Sequence, residues 1–170
     1  SIIEYFLNFN SLGDDIQVKL GNNNEVNFFD DKKELKDVNV LLSDTGLKTN
    51  TGERIRRVKK HFSDGEKFMM TYGDGLSDVN IKKLISFHDS HEGIATFTVT
   101  KPESRYGVIQ TDDNNLVTSF DEKGQIENRI NSGFMVLDYE VFDYIEENDN
   151  FEQQTLKKIA SDKKLYAFNH

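Results

Sequence analysis

An aspartate held between two glycines is the residue of this sequence best suited to chemistry. Asp74 follows the apolar run Lys67–Tyr72 and lies between Gly73 and Gly75. The run predicts a strand, and a carboxylate at the carboxyl end of a strand lies where open α/β sheets bind ligands. The flanking glycines allow a tight turn and the close approach of a ligand. The pattern predicts a divalent cation site, although a plain Gly-Asp-Gly turn fits the local sequence equally well.

Further polar residues occupy loops that can converge above the same sheet. They are Thr45, Thr51, Gly52, Arg54, Asp74, Arg105, Gly107, Glu122, Lys123 and Asn131. Four of them also have a purely structural interpretation. Lys123 and Glu122 suit the solvated end of a strand, and Asn131 suits the cap of a turn. Arg54 suits the solvent-exposed face of a basic helix.

Two histidines on one predicted helix resemble half of a metal site. His88 and His91 are three residues apart. Because no third ligand accompanies them, we interpret His88 as a partly buried residue and His91 as a cation at the end of the helix.

Asp74 must be positioned by the strand before it and the helix after it. The run Lys67–Tyr72 is short, β-prone and unalternating, which predicts a strand buried on both faces of a parallel sheet. Ser77 or Asp78 is predicted to cap the following helix, which ends at Gly93. The apolar face of that helix comprises Ile81, Leu84, Ile85 and His88.

The remaining elements mostly alternate between strands and helices. Strands are predicted at Ile16–Leu20, Glu25–Phe29, Asp37–Ser43, Ile94–Lys101, Tyr106–Gln110, Leu116–Asp121, Ile130–Asp138 and Leu165–Phe168, and helices around Ile2–Leu7, Ile55–Phe62, Val141–Ile145 and Leu156–Ala160. The turn sequences Gly21–Asn24 and Thr111–Asn115 predict two hairpins. We therefore expect an α/β fold, a mixed, largely parallel sheet with helices on both faces, as one domain over residues 1–170.

The composition excludes several classes of protein. The chain has 170 residues and no cysteine, which removes disulfides, thiolate metal sites and cysteine nucleophiles. No apolar run approaches the roughly 18 residues that span a bilayer, and no secretory signal precedes the first residues, so a cytoplasmic protein without a membrane partner is expected. A net charge of −9 argues against a broad nucleic-acid surface.

Six short motifs occur in a fixed order along the chain. They are Ser43–Gly46, Thr51–Arg54, Thr71–Gly75, Arg105–Gly107, Ser119–Lys123 and Ile130–Phe134. Together they resemble the glucose-1-phosphate cytidylyltransferases, which belong to the sugar-phosphate nucleotidyltransferases, and the resemblance extends over essentially all 170 residues. It implies a Rossmann-like fold of the nucleotide-diphospho-sugar transferase type, with this chain incomplete at both ends.

The resemblance implies an enzyme that uses CTP and glucose 1-phosphate. A sugar phosphate oxygen attacks the α-phosphorus of CTP, giving CDP-glucose and pyrophosphate for nucleotide-sugar and surface polysaccharide biosynthesis, including the lipopolysaccharide O-antigen. Two polyanions must meet in this reaction, so catalysis depends on positioning and charge neutralisation. The resemblance further implies Mg²⁺ as the cofactor and a homo-oligomer in the complete enzyme.

The same resemblance implies roles for individual residues. Asp74 is expected to bind Mg²⁺, and Lys123, the second catalytic residue, to hold the sugar phosphate. The residues expected near the sugar phosphate are Arg105, Gly107, Glu122, Lys123 and Asn131. The residues expected near the nucleotide are Thr45, Thr51, Gly52, Arg54 and Gly73.

Departures from the family pattern leave alternatives open. The family has a glycine-rich Gly-Gly-x-Gly-Thr-Arg loop that nothing here matches, and its second metal-binding Asp is expected just beyond His170. The usual Glu-Lys-Pro reads Glu122–Lys123–Gly124. We therefore expect this chain alone to be inactive. Alternatives are a uridylyl- or thymidylyltransferase, a catalytically silent nucleotide or sugar-phosphate binding module, and a fragment that serves only assembly.

Overall fold

A computed structural model describes residues 2–9, 16–19, 25–28, 38–102, 106–122 and 128–170. The chain forms two compact units, Ser1–Asp44 and Thr45–His170. The prediction of a single domain stays a prediction, and each unit is considered by itself. Within the described ranges, no helix has the length and apolar content needed to cross a membrane.

The first unit contains a short helix and a hairpin. Helix α1 is Ile2–Leu7, and strands β1 (Ile16–Lys19) and β2 (Glu25–Phe28) pair antiparallel. The predicted hairpin is thereby confirmed, while its turn lies outside the described residues. The strand predicted at Asp37–Ser43 is wrong over its described part, residues 38–43, which has no regular structure. Its apolar side chains are exposed, and β-propensity forms a strand only where packing partners exist.

The second unit contains the remaining elements. Its strands are β3 (Lys67–Thr71), β4 (Ala95–Thr100), β5 (Val108–Thr111), β6 (Val117–Asp121), β7 (Ile130–Asp138) and β8 (Leu165–Asn169). Its helices are α2 (Thr51–Val58), α3 (Ile81–His88) and α4 (Leu156–Ser161), with 3-10 turns at Lys59–His61 and Tyr139–Tyr144 and a π-helical turn at Phe151–Thr155. Most predicted elements are therefore confirmed, with ends that differ by a few residues.

The main sheet has the strand order β3-β7-β4-β8. Strands β4 and β8 are parallel, whereas β7 is antiparallel to both β3 and β4. Three strands therefore run in one direction with β7 reversed between two of them, which confirms a mixed sheet.

The environment predicted for the strand before Asp74 is wrong. Strand β3 lies at one end of the described sheet, pairs antiparallel with β7, and alternates between exposed and half-buried residues. Met69, for example, is 40% exposed. A continuous apolar run fits either a doubly buried strand or a half-buried one, and the sequence pattern cannot separate the two.

Helices cover both faces of the main sheet, as predicted. One face carries the core, where Ala95, Met135 and Leu137 are fully buried against residues of the helical segments that follow β7. On the opposite face, α3 buries Leu84 and His88. The register places Ala95 beside Leu137 and Thr96 beside Val136, so alternate residues of β4 and β7 face the two helical layers.

Helix α3 begins later than predicted. The Asn80 side chain caps it by accepting a hydrogen bond from the Lys83 backbone N–H at 3.0 Å. Ser77 instead accepts from the Val79 backbone N–H at 3.3 Å, within the loop before the helix. The helix ends at His88, so the predicted end at Gly93 was also too late.

The two histidines pack against β4, where a ring nitrogen of each lies close to the hydroxyl group of Thr96. His88 Nδ1 lies 2.8 Å from Thr96 Oγ1, and His91 Nε2 lies 2.8 Å from the same oxygen. The His91 ring stacks on Tyr166 at a centroid distance of 3.8 Å. Burial, followed by the neighbouring His88, lowers the pKa of His91, which favours the neutral ring. Helix α3 ends at His88, so His91 lies beyond the helix and its interpretation as a helix-end cation was wrong.

The second predicted hairpin is confirmed as β5 and β6. The strands pair antiparallel, with Val108 opposite Asp121. The Asp112 carboxylate closes the turn by accepting hydrogen bonds from the Asn114 and Leu116 N–H groups, both at 2.9 Å. Asn115 has φ 64°, a left-handed conformation that asparagine tolerates.

Candidate active site

Asp74 lies in an open turn directly after β3. The Gly75 N–H donates to the Tyr72 carbonyl at 3.3 Å, which closes the turn. The Asp74 side chain is exposed and makes no hydrogen bond or ion pair with any described residue. A Cβ added at Gly73 would have no atom within 4 Å. The turn therefore presents a free carboxylate with space beside it.

Asp74 offers a single exposed carboxylate as a ligand for a hard cation. Within the ranges that the structure describes, no three His, Cys, Asp or Glu side chains are grouped so that they could hold a metal ion. Mg²⁺ is commonly bound by one or two carboxylates, with substrate phosphates and water completing its shell. Asp74 would supply one such carboxylate.

Tyr72 anchors the start of that turn. Its ring packs on Gly133 of β7, where an added Cβ would lie 2.9 Å from the ring and where φ is +88°, so only glycine fits without strain. Its hydroxyl donates to Glu152 Oε1 at 2.7 Å. Burial, and next the Glu152 carboxylate, raise the pKa of Tyr72 to about 12, with the Asn131 side chain opposing the shift.

The first residues of α2 lie against the segment that leads into the π-helical turn. Thr51 Oγ1 donates to Glu152 Oε2 at 2.8 Å and accepts from the Phe151 N–H at 2.9 Å. A Cβ added at Gly52 would lie 2.7 Å from the Asp149 carbonyl oxygen. Gly52 is therefore required by close backbone packing.

A buried carboxylate fixes α2 in this position. Glu53 accepts hydrogen bonds from Arg56 Nε at 2.6 Å and Arg57 Nε at 2.9 Å, and from the Asn148 N–H at 3.2 Å. Hydrogen bonds from Arg56 and then Arg57 lower the pKa of Glu53 to about 2. The Glu53 N–H also donates to the Asp149 carbonyl at 3.2 Å.

Arg54 and Thr45, both predicted to lie near the nucleotide, lie together. Arg54 donates to Thr45 Oγ1 at 2.9 Å and to the carbonyls of Thr49 and Leu47 at 2.9 Å and 3.1 Å. Its guanidinium group therefore shapes the loop before α2. None of these three acceptors is charged, so the guanidinium charge is not neutralised by them.

The residues predicted to lie near the sugar fall in two places. Gly107 and Glu122 lie at the open end of the β5–β6 hairpin, where a Cβ added at Gly107 would be 3.6 Å from Glu122 Oε2 and 2.6 Å from the Phe120 ring. The space at Gly107 is thus occupied by Phe120. Asn131 is exposed on β7, and its Oδ1 accepts from the Gly133 N–H at 2.9 Å.

Two of the predicted site residues lie outside the described residues. They are Arg105 and Lys123. Their expected contacts with a sugar phosphate therefore stay predictions.

Sequence reasoning did not identify Glu152, although it connects residues that were identified. Its carboxylate joins Thr51 to Tyr72, and Tyr72 in turn lies beside Asn131. Tyr72 was part of the Thr71–Gly75 motif but had no assigned role. No local signal marks Glu152, because its partners lie 80 and 101 residues away.

Comparison with known proteins gives consistent results. The family model described as "Nucleotidyl transferase" matches residues 3–169. Glucose-1-phosphate cytidylyltransferase of Salmonella typhi is 39% identical over 173 residues, covering 99% of this chain and 65% of the relative. The "Probable glucose-1-phosphate cytidylyltransferase" of Bacillus subtilis is 37% identical over 133 residues, covering 77% of this chain and 52% of the relative. The chain therefore spans less than two thirds of these relatives.

A solved structure supports the fold assignment. The "Putative Glucose-1-Phosphate Thymidylyltransferase" from Bacillus anthracis, in complex with a sucrose, superposes with a TM-score of 0.51. The superposition covers 74% of this chain and 55% of that one, at 14% sequence identity. The similarity establishes a shared α/β nucleotidyltransferase-type fold.

Proposed function

This chain belongs to the nucleotidyl transferase family, and we propose that the full-length protein transfers a cytidylyl group from CTP to glucose 1-phosphate. The products are CDP-glucose and pyrophosphate. The observation that carries this proposal is the 39% identity to a glucose-1-phosphate cytidylyltransferase over 99% of the chain. CDP-glucose made in this way supplies surface polysaccharide biosynthesis.

The exposed carboxylate of Asp74 supports a role in binding Mg²⁺. When bound, the ion supplies charge neutralisation for the phosphate groups of the two substrates. Asp74 has no competing partner among the described residues, and the open space at Gly73 admits a large ligand. The protein's own contribution is to hold this carboxylate at a fixed place beside the substrate.

We propose that the two substrates are bound by two different groups of residues. Thr51 and Gly52 begin α2 on the proposed nucleotide side, where Arg54 hydrogen-bonds three neutral oxygens of described residues and its positive charge favours an anion. On the proposed sugar side, Glu122 and Asn131 are exposed and can hydrogen-bond sugar hydroxyls. Lys123 is proposed to bind the sugar 1-phosphate through a charge-assisted hydrogen bond.

The proposal is tested with the full-length protein. It is incubated with Mg²⁺, glucose 1-phosphate and one of CTP, UTP, dTTP or GTP, and pyrophosphate release is measured. We expect the highest kcat/KM with CTP and the appearance of CDP-glucose. A higher kcat/KM with another nucleotide would replace the cytidylyl assignment, and no release with any of them would overturn nucleotidyl transfer. A parallel series with mannose 1-phosphate tests the sugar.

A further inference from the structure

The carboxylate of Glu152 joins two elements that are distant in sequence. Its Oε1 accepts a hydrogen bond from the Tyr72 hydroxyl group, directly after β3, with an oxygen–oxygen distance of 2.7 Å. Its Oε2 accepts a hydrogen bond from the Thr51 hydroxyl group, at the start of α2, with an oxygen–oxygen distance of 2.8 Å. Hydrogen bonds from a hydroxyl to a carboxylate are charge-assisted and stronger than neutral ones. The Glu152 carboxylate therefore connects the end of β3 to the start of α2 through two hydrogen bonds.

Both hydroxyl groups are directed toward Glu152 by other contacts. Thr51 Oγ1 already accepts from the Phe151 N–H at 2.9 Å, which leaves its hydrogen free to donate. The Tyr72 ring is seated on Gly133, where a Cβ would approach to 2.9 Å. A tyrosine phenol is protonated at neutral pH, so the Tyr72 hydroxyl group is the donor to the Glu152 carboxylate. The link has one consistent arrangement of donors and acceptors.

Tyr72 is also part of the turn that carries Asp74, so its hydrogen bond to Glu152 restrains the position of that turn. Its side chain binds Glu152, while its carbonyl accepts from the Gly75 N–H at 3.3 Å. Asp74 lies between Tyr72 and Gly75 in this turn, and its exposed side chain makes no hydrogen bond or ion pair with a described residue. The position of its carboxylate is thus set mainly through Tyr72.

We infer that Glu152 is a positioning residue that fixes the Asp74 turn relative to the first turn of α2, through Tyr72 and Thr51. The kinetic consequence rests on the proposed nucleotidyl transfer, in which Asp74 and the start of α2 serve one substrate complex. Displacement of a catalytic group by about 1 Å can lower the rate by about 100-fold. Loss of the link should therefore lower turnover more than it weakens substrate binding.

The kinetic test uses four variants of the full-length protein. Glu152→Ala removes both acceptors, Glu152→Gln keeps one carbonyl acceptor, and Tyr72→Phe removes one donor while leaving the ring packed on Gly133. Tyr144→Phe is the matched control, because the Tyr144 hydroxyl donates to Asp162 at 2.9 Å in a similar bond away from the turn.

The expected result is a fall in kcat without a matching change in KM. We expect kcat of Glu152→Ala to fall by about 10- to 100-fold, with KM for CTP and for glucose 1-phosphate within about threefold of wild type. Glu152→Gln and Tyr72→Phe should lie between this variant and wild type, and Tyr144→Phe should match wild type. A kcat within about twofold of wild type for both Glu152→Ala and Tyr72→Phe would overturn the inference.

A second measurement needs neither substrate nor turnover. Amide hydrogen exchange at Gly73–Gly75 reports how firmly the turn is held, because local opening sets the exchange rate. We expect exchange to be about fivefold faster, or more, in Glu152→Ala and Tyr72→Phe, and unchanged in Tyr144→Phe. Should Glu152→Ala fail to fold, Tyr72→Phe alone carries the test.

The two measurements separate this inference from the proposed function. A wild-type protein that makes no nucleotide sugar would overturn the proposed function, while hydrogen exchange would still report on the link. Unchanged exchange at Gly73–Gly75 in a folded Tyr72→Phe protein would overturn the link even where nucleotidyl transfer is confirmed.

Discussion

Glu53 and Asp74 are carboxylates of the same compact unit with opposite surroundings. Glu53 is 3% exposed and accepts hydrogen bonds from Arg56, Arg57 and a backbone N–H. Asp74 is exposed and has no partner among the described residues. Glu53 therefore stabilises the start of α2, whereas the carboxylate of Asp74 is available to bind a ligand.

The glycines beside these carboxylates differ in the same way. Gly52, next to Glu53, leaves no room for a side chain because the Asp149 backbone occupies the space. Gly73, next to Asp74, has empty space around it. Both glycines lie in motifs that resemble a nucleotide site. Gly52 allows close packing against the Asp149 backbone, whereas Gly73 leaves space beside Asp74 for a ligand. A motif alone does not tell which of its residues contacts the ligand.

The largest expected effect comes from Asp74→Asn in the full-length protein. The amide keeps the size of the side chain but loses the charge that attracts Mg²⁺, so we expect kcat to fall by at least about 100-fold. Because the side chain is exposed and has no hydrogen-bond or ion-pair partner among the described residues, Tm should stay within about 1 °C of wild type. Pyrophosphate release and thermal unfolding measure the two quantities. Near-normal activity at saturating Mg²⁺ would show that Asp74 is not the metal ligand.

Two glycine substitutions test whether Gly52 is required for packing while Gly73 leaves space for a ligand. Gly52→Ala places a methyl group 2.7 Å from the Asp149 carbonyl oxygen, so we expect Tm to fall by about 3–10 °C. Gly73→Ala has nothing within 4 Å of the new methyl group and is the matched control, with Tm close to wild type. Calorimetry compares the two variants. Equal losses of Tm would contradict the distinction drawn between the two glycines.

Glu53→Gln tests whether the buried carboxylate stabilises α2. The amide nitrogen cannot accept a hydrogen bond, so at least one hydrogen bond from the arginines is lost, together with the charge attraction to both. We expect Tm to fall by about 3–8 °C, with little change in KM once the protein is folded. Circular dichroism and steady-state kinetics measure these effects. An unchanged Tm would mean that solvent replaces the arginine contacts without cost.

The smallest effect is a change in stability with pH. Hydrogen bonds from Arg56 and Arg57 lower the pKa of Glu53 from 4.5 to about 2. A carboxyl with a lowered folded pKa stabilises the fold above its unfolded value, and this contribution is lost as the pH falls toward the folded value. The Tm difference between wild type and Glu53→Gln should therefore be full above pH 4.5 and shrink between pH 4.5 and about 2. A difference that stays constant over this range would contradict the assignment.

Much of the secondary structure could be predicted because its signals are local. The Asp112–Asn115 turn follows from side-chain hydrogen bonds made within five residues, and β7 has the same bounds as predicted. Helix α3 was predicted from the spacing of its apolar residues. Its start was predicted too early because Ser77 and Asn80 are both capable caps, and the sequence does not rank them.

The sequence by itself determined the hairpins, the helical segments, the mixed α/β architecture and the family to which the chain belongs. The tertiary structure alone decided that β3 pairs antiparallel with β7, that Gly52 serves packing, and that Glu152 joins Tyr72 to Thr51. The physical reason is distance along the chain. A turn or a cap depends on neighbouring residues, whereas a contact across 80 or 101 residues exists only when the whole sheet and its helices are assembled.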